Sequence, residues 1–322
     1  MKTVIVVILI DKKSLCVRNY AMARHPFDFR QLEALYWVAR MGSFAAAARK
    51  LNTSQPAISQ RISDLETGLG VLLFDRSRRR ATLTPKGVEA VESAEELLSL
   101  SAEMHTRLAK QESLSGLLRV GVNETIALSW LPELVQEVKQ RTPSVVLEVH
   151  VGLTQTLWES YERGNLELLL VSGPIEQDGI VLESLGTTSY TWMTAPRSGL
   201  QQRTIVPTDF RELPIITHGP GSTMHDDILD WFQRDETLIR NSAVCHSLSA
   251  MAVLTKAGLG VSMLPPIIYQ TEVDDGKLIA LDPKPALPQL EFWAVYPQRV
   301  VSPLPATVSR FARQVSTFRK GG

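Results

Sequence analysis

The sequence predicts an α/β protein built from an N-terminal winged helix-turn-helix, a linker helix and a C-terminal α/β domain of two lobes. Three observations predict it. Two short helical periods joined by a tight turn lie between Arg30 and Gly70, with a cationic hairpin pattern behind them. The stretch from Val88 to Gln111 contains neither Gly nor Pro and repeats small and apolar residues at steps of three and four. From Leu117 onward, short apolar strands alternate with helical segments.

Length and composition set the frame for these elements. A chain of 322 residues exceeds one ordinary core, taking roughly 100 to 200 residues per domain. With 44% hydrophobic and 21% charged residues it belongs to the globular class and is neither disordered nor fibrous. The 34 basic and 34 acidic residues cancel, yet their distribution is uneven. Residues 22–90 hold eleven Lys and Arg against six Asp and Glu, a net +5, while residues 91–322 carry −8. A basic head on an acidic body suits a nucleic-acid-binding module joined to a domain that does not bind nucleic acid. The two cysteines, Cys16 and Cys245, lie far apart in the sequence. They offer neither a disulfide framework nor a cysteine zinc site, and a reducing cytoplasm is the expected compartment.

The start of the chain imitates a signal peptide, but its apolar run covers only Val4 to Ile10, far less than the ~20 residues a membrane span needs. Residues 1–26 are therefore expected to be a non-native or disordered extension with Met22 as the natural start; a strand-like tail is the alternative. Within the head, Leu32, Leu35, Tyr36, Val38 and Ala39 recur at helical spacing and Gly42 ends the run. Ser43 fits an N-cap for a helix from Phe44 to Leu51, whose alanines at 45–48 let another helix cross closely. After a turn at Asn52 and Thr53, Ser54 caps a second helix with Pro56 in its first turn, and Gly68 and Gly70 stop it. Ile58, Ile62 and Leu65 form its apolar stripe, so Gln55, Ser59, Gln60 and Arg61 face elsewhere. That geometry fits a major groove, where Gln and Ser read base edges and Arg61 meets phosphate or guanine. Val71–Phe74 and Ala81–Thr84 read as two strands of a hairpin whose tip carries Arg76, Arg78, Arg79 and Arg80. Such a wing neutralises phosphates and releases counterions; a solvated basic loop is the plainer reading.

The winged helix-turn-helix thus occupies 27–87 and the linker helix 88–112, with a seam at Val91, Ala94, Leu98, Ser101, Met104 and Leu108. A long helix with little of its own domain to pack on is expected to pair with a second copy. A homodimer or homotetramer presenting two recognition helices reads an inverted repeat in double-stranded DNA. In the domain from 113 to 322, strands are expected at Leu117–Val122, Val145–Val151, Leu166–Val171, Tyr190–Met193, Ile215–Thr217 and Glu291–Tyr296. Helices are expected at Leu128–Gln140, Thr156–Arg163, His225–Phe232 and Ser249–Ala257, giving a largely parallel sheet.

The run from Phe29 to Gly87, FRQLEALYWVARMGSFAAAARKLNTSQPAISQRISDLETGLGVLLFDRSRRRATLTPKG, resembles the DNA-binding domain of LysR-type transcriptional regulators over its whole length. The match includes the SQPAIS recognition start and the LTPKG end of the wing. The resemblance implies that Gln55, Pro56 and Ser59 lie at the DNA surface, Gln60 at a variable specificity position, and Arg76 and Arg78 in the wing. The fragments RVGVNETIALSWLPELV, YERGNLELLLVSG and AVLTKAGLGVSMLPP resemble the periplasmic-binding-protein-like effector domain of the same family, although Glu167 stands where members often carry Asp. In such folds a ligand lies outside the carboxyl ends of strands, held by helix N-termini and hydroxyls. The implied effector-binding residues are Asn123, Glu124 and Thr125, then Thr154, Ser222, Thr223 and Ser247. Each hydroxyl alone also reads as a simple N-cap; four loops converging is the stronger sign. A small anion would be held there by helix N-termini without an arginine. Trp130, Trp158 and Trp192 would line an apolar part of the pocket or fill the core.

The chemistry not found also narrows the reading. The sequence has no G-x-S-x-G elbow, Walker loop, G-x-G-x-x-G after a strand or H-E-x-x-H, so an enzyme is not expected, nor is a cofactor. His218, His225 and His246 read as capping or surface histidines and not as a metal site. The expected partners are promoter DNA, a small-molecule effector and, if the protein activates, RNA polymerase. The alternative is a transport-type solute-binding protein, which a functioning export signal would favour.

Overall fold

The computed structural model describes residues 10–11, 14–15, 27–75, 82–108, 114–198, 200, 204–211, 213–233, 241–298 and 302–319. The chain divides into two compact units, Met1–Ala94 and Glu95–Gly322. Near the start, β1 (Ile10–Asp11) and β2 (Ser14–Leu15) pair as a short antiparallel ribbon.

Local capping chemistry sets the ends of the first three helices. In α1 (Phe29–Met41) the Asp28 carboxylate accepts the Gln31 N–H while the Gln31 side chain accepts the Asp28 N–H, a reciprocal capping box. Gly42 ends it in the left-handed conformation that glycine adopts without strain. The Ser43 hydroxyl caps α2 (Phe44–Lys50) and the Ser54 hydroxyl caps α3 (Gln55–Leu69), as expected, with Pro56 in the first turn. Gly68 lies inside α3, so Gly70 alone stops it. The three helices pack on one another. Leu35, Val38, Ala47, Ile58, Ile62 and Leu65 are buried.

The wing strands are shorter than expected: β3 covers Phe74–Asp75 and β4 Thr82–Leu83, antiparallel. Val71–Leu73 lie outside the ladder, and a side chain holds the N–H groups where it begins. The buried Glu66 carboxylate on α3 accepts from Leu73 N at 2.8 Å and Phe74 N at 3.2 Å. Removing it leaves two N–H donors without their acceptor, so Glu66→Ala should cost about 2 kcal/mol in urea or thermal unfolding, with Glu66→Gln recovering part of the loss. The arginines expected at the hairpin tip, Arg76, Arg78, Arg79 and Arg80, lie outside the described residues.

Helix α4 (Pro85–Leu108) starts where the Thr84 hydroxyl accepts the Gly87 N–H at 2.9 Å. Ala94, Leu98, Ser99 and Ala102 are buried, whereas Leu97, Leu100 and Met104 are exposed, Met104 by 58%. Of the expected seam, the members at 94 and 98 are buried, and Met104 is exposed beside Leu97 and Leu100.

The second unit begins with β5 (Ser115–Val122), the short α5 (Glu124–Ala127), α6 (Leu131–Arg141), β6 (Ser144–Val151), α7 (Thr154–Glu162), β7 (Leu168–Ser172) and β8 (Ile180–Thr188). The chain then enters a second lobe: β9 (Thr191–Thr194), β10 (Thr204–Ile205), β11 (Ile215–Thr217), α8 (Thr223–Gln233), β12 (Asn241–Val244), α9 (Leu248–Lys256), β13 (Ser262–Leu264), α10 (Pro266–Asp274), β14 (Ile279–Ala280) and β15 (Asp282–Pro283). It returns to the first lobe in β16 (Leu290–Pro297) and ends in α11 (Leu304–Val315). The helix expected over Leu128–Gln140 is α6, which begins at Leu131; the short α5 before it carried no expectation. The first-lobe sheet has the order β6-β5-β7-β16-β8, with β5 parallel to β6 and β7 but β16 antiparallel to both its neighbours. The expected largely parallel sheet is therefore mixed, because the returning strand inserts between β7 and β8. Trp192, Phe210, Trp231 and Phe232 fill the second lobe with ring centroids 4.7–5.8 Å apart. Among the described residues no helix is long and apolar enough to cross a membrane.

Candidate functional site

Two surfaces concentrate the polar side chains singled out by sequence. On the first, burying Ile58, Ile62 and Leu65 leaves Ser54, Gln55, Pro56, Ser59 and Gln60 exposed at the N-terminal half of α3. In its first turn Pro56 has no N–H and the Ser54 hydroxyl takes that of Ala57, so the surface is one of side chains. Gln55 and Ser59, one turn apart, stand on that surface. Gln60 is partly occupied, donating to Asp64 Oδ1 at 2.8 Å. Arg61 is half-buried and acts electrostatically on Glu33 of α1, whose carboxyl is raised by burial and lowered in part by Arg61 and Arg30. Arg61 thus lies toward α1.

The second surface is a cleft between the two lobes of the C-terminal unit, about 260 Å³ in volume. Of the seven effector-binding candidates, Asn123, Glu124, Thr125, Ser222 and Ser247 line it; Thr154 and Thr223 do not. The latter two lie behind the wall. Thr154 Oγ1 donates within 3.1 Å of the Ser172 carbonyl, and Thr223 Oγ1 lies 3.0 Å from Ser172 Oγ. Asn123 ties three strand ends together, accepting from Ser172 N at 2.5 Å and donating to the Gly152 carbonyl at 3.0 Å. Thr125 Oγ1 pairs with Tyr190 Oη at 2.6 Å; burial pushes that phenol well above its ordinary pKa, so it stays neutral.

Glu124 changes the expected chemistry of this cleft. Its carboxylate crosses from α5 to the start of α9, where it accepts from Leu248 N at 2.5 Å, Ser249 N at 3.1 Å, Ser247 Oγ at 3.1 Å and Ser249 Oγ. The Ser247 hydroxyl also accepts from Ala250 N, as the N-cap of α9. The helix N-terminus expected to hold a small anion therefore already holds a side-chain carboxylate. Sequence reasoning also missed Ser172 and Tyr190 as wall residues and set His218 aside. The available signal was position, since each stands at or beside the end of a buried strand. His218 is 5% exposed, and burial lowers its pKa to about 4; His246 and His225 push the same way, against Glu124 and the Cys245 backbone. Of the two readings of the tryptophans, core holds for Trp130 and Trp192, and Trp158 packs on Tyr161. Among the described residues no three metal-ligating side chains cluster.

Two family models match the chain: "Bacterial regulatory helix-turn-helix protein, lysR family" over residues 29–88 and "LysR substrate binding domain" over residues 111–317. A Streptomyces viridosporus protein named "Probable hydrogen peroxide-inducible genes activator" is 32% identical over 262 residues, covering 79% of this chain and 84% of that protein. The HTH-type transcriptional regulator BbuR of Bordetella bronchiseptica is 29% identical, covering 80% and 79%. Among solved structures, a full-length OxyR variant from Pseudomonas aeruginosa superposes with a TM-score of 0.67 at 21% identity, covering 91% of this chain and 98% of that one. LysG from Corynebacterium glutamicum with bound effector Arg gives 0.61 at 21% identity, covering 91% and 100%. These two show that the fold is shared.

Proposed function

The chain belongs to the LysR family of bacterial transcriptional regulators, and from that premise we propose how its two surfaces divide the work. It is a DNA-binding regulator with a C-terminal effector-binding domain, and its named relatives are regulators and not enzymes. In our reading α3 enters the major groove with Gln55 and Ser59 at base edges, Ser54, Pro56 and Gln60 on the same surface, and Arg61 toward the phosphates. Arg76, Arg78 and Arg79 grip the backbone alongside. The observation that supports this is the exposed polar N-terminal face of α3 over a three-helix core. The exposed stripe of Leu97, Leu100 and Met104 on α4 supports pairing with a second copy, and hence an inverted-repeat operator. Dimer or tetramer assembly, contact with RNA polymerase in activation and a cytoplasmic location complete the proposal.

The second surface takes the effector, within the wall of Asn123, Thr125, Ser222 and Ser247 backed by Thr154 and Thr223. A ligand changes DNA occupancy only by preferring one of two arrangements of the oligomer. Fluorescence anisotropy on operator and random duplexes tests the first surface. Gln55→Ala is expected to lose about 1–2 kcal/mol on the operator and little on random DNA, whereas Arg78→Ala weakens both and lowers the salt slope by about one. Equal loss on both duplexes for Gln55→Ala removes its base-reading role.

A further inference from the structure

We propose that Glu124 is a built-in occupant of the anion seat of α9, so that the cleft selects an effector bringing hydrogen-bond donors, an amine above all, and rejects anions. The inference rests on the reading of the cleft as the effector site. Three observations carry it.

First, the N–H groups that would receive a ligand carboxylate or phosphate at α9 are already bonded: Leu248 N and Ser249 N to Glu124, and Ala250 N to Ser247 Oγ. An incoming anion meets a fixed negative charge in the place where the helix dipole would have favoured it. Second, among the described residues lining the cleft there is no Lys or Arg. His218 adds no positive charge at neutral pH, since it is buried neutral.

Third, the Glu124 carboxylate keeps an acceptor position open on the wall. Glu124 Oε1 receives three donors, but Oε2 receives only Leu248 N, so one of its lone pairs is unused. His218 is nine-tenths buried and its Nδ1 has no hydrogen-bond partner among the described residues. An open carboxylate acceptor with no Lys or Arg beside it calls for a ligand with N–H groups, and an ammonium also balances the Glu124 charge.

The test uses the full chain in thermal unfolding, with sodium acetate as the probe against sodium chloride at equal ionic strength. Wild type is expected to show no acetate rise beyond that of chloride. Glu124→Ala and Glu124→Ser should start lower and then gain roughly 3–6 °C at about tenfold the acetate Kd, because the vacated N–H groups accept the free carboxylate. A wild type stabilised as much as the variants, or folded variants indifferent to acetate, overturns the assignment. Should neither variant fold, the wild-type titration still decides: acetate-specific stabilisation there sinks the proposal, and its lack upholds it. A metabolite screen with Ser222→Trp, which narrows the cleft, separates the two readings. A net-negative hit lost in Ser222→Trp overturns the role of Glu124 and keeps the cleft. Hits of any charge that are indifferent to Ser222→Trp remove the cleft reading itself.

Discussion

Replacing Gly87 by alanine should destabilise the N-terminal unit by about 3 kcal/mol or more and abolish tight duplex binding, despite alanine's better helix propensity. A Cβ at this position would stand 2.1 Å from the Leu73 carbonyl oxygen and 3.0 Å from Leu83 Cδ2. The leucine side chain could turn away; the carbonyl could not. Leu73 is held from both sides, its N–H by the Glu66 carboxylate and its oxygen by the Thr84 N–H at 2.9 Å. The gain from Gly to Ala inside a helix is about 1 kcal/mol, which overpacking against fixed backbone exceeds. Relieving the clash means moving α4 or the base of the wing, and either displaces the hairpin from its place beside α3. Calorimetry and duplex titration on the full chain check this; a variant that melts and binds like wild type would show that the backbone yields more easily than the contact implies.

The second large effect is a loss of stability on acidification through His218. Its folded-state pKa of about 4 lies below the ordinary 6.5, so between these values the unfolded chain binds a proton that the folded chain does not. Stability is therefore undiminished above pH 6.5 and falls as the pH drops toward 4, by about 1.4 kcal/mol per pH unit and about 3 kcal/mol in all. Burial is the main cause, so the penalty should vanish with the ring. His218→Gln should flatten this part of the curve while the carboxylates continue to titrate. Urea unfolding of wild type and variant from pH 7.5 to 4.5 gives the difference directly; parallel curves would show that His218 gains a proton without cost.

What the sequence made legible follows from how far each interaction reaches. Ser43, Ser54 and Gly42 act within three or four residues, so the helices of the head and their polar outer face could be read directly. Glu66 acts seven and eight residues away on Leu73 and Phe74, and the expected wing strands accordingly ran too long. In the C-terminal unit, Ile215–Thr217 was legible as a short apolar strand, whereas Ile180–Thr188 and α11 carried no local expectation. Their places depend on β16, more than a hundred residues from β8, and on the packing of α11 against α6 and the sheet. The cleft loops were legible because each follows a strand. That Glu124 would reach a helix 124 residues onward was not, and it fills the helix N-terminus that a small anion would have used.

The route of the chain between the lobes has a mechanical consequence. The outgoing segment leaves after Thr188 and the returning one arrives at Leu290, and these two residues are partners in the same antiparallel ladder. The second lobe is thus suspended from two adjacent strand ends, which the ladder keeps about 5 Å apart. A body hung on such a strap resists sliding along it but can swing about it. Work done by a ligand in the cleft should emerge as torque, and the far edge of the second lobe should travel furthest.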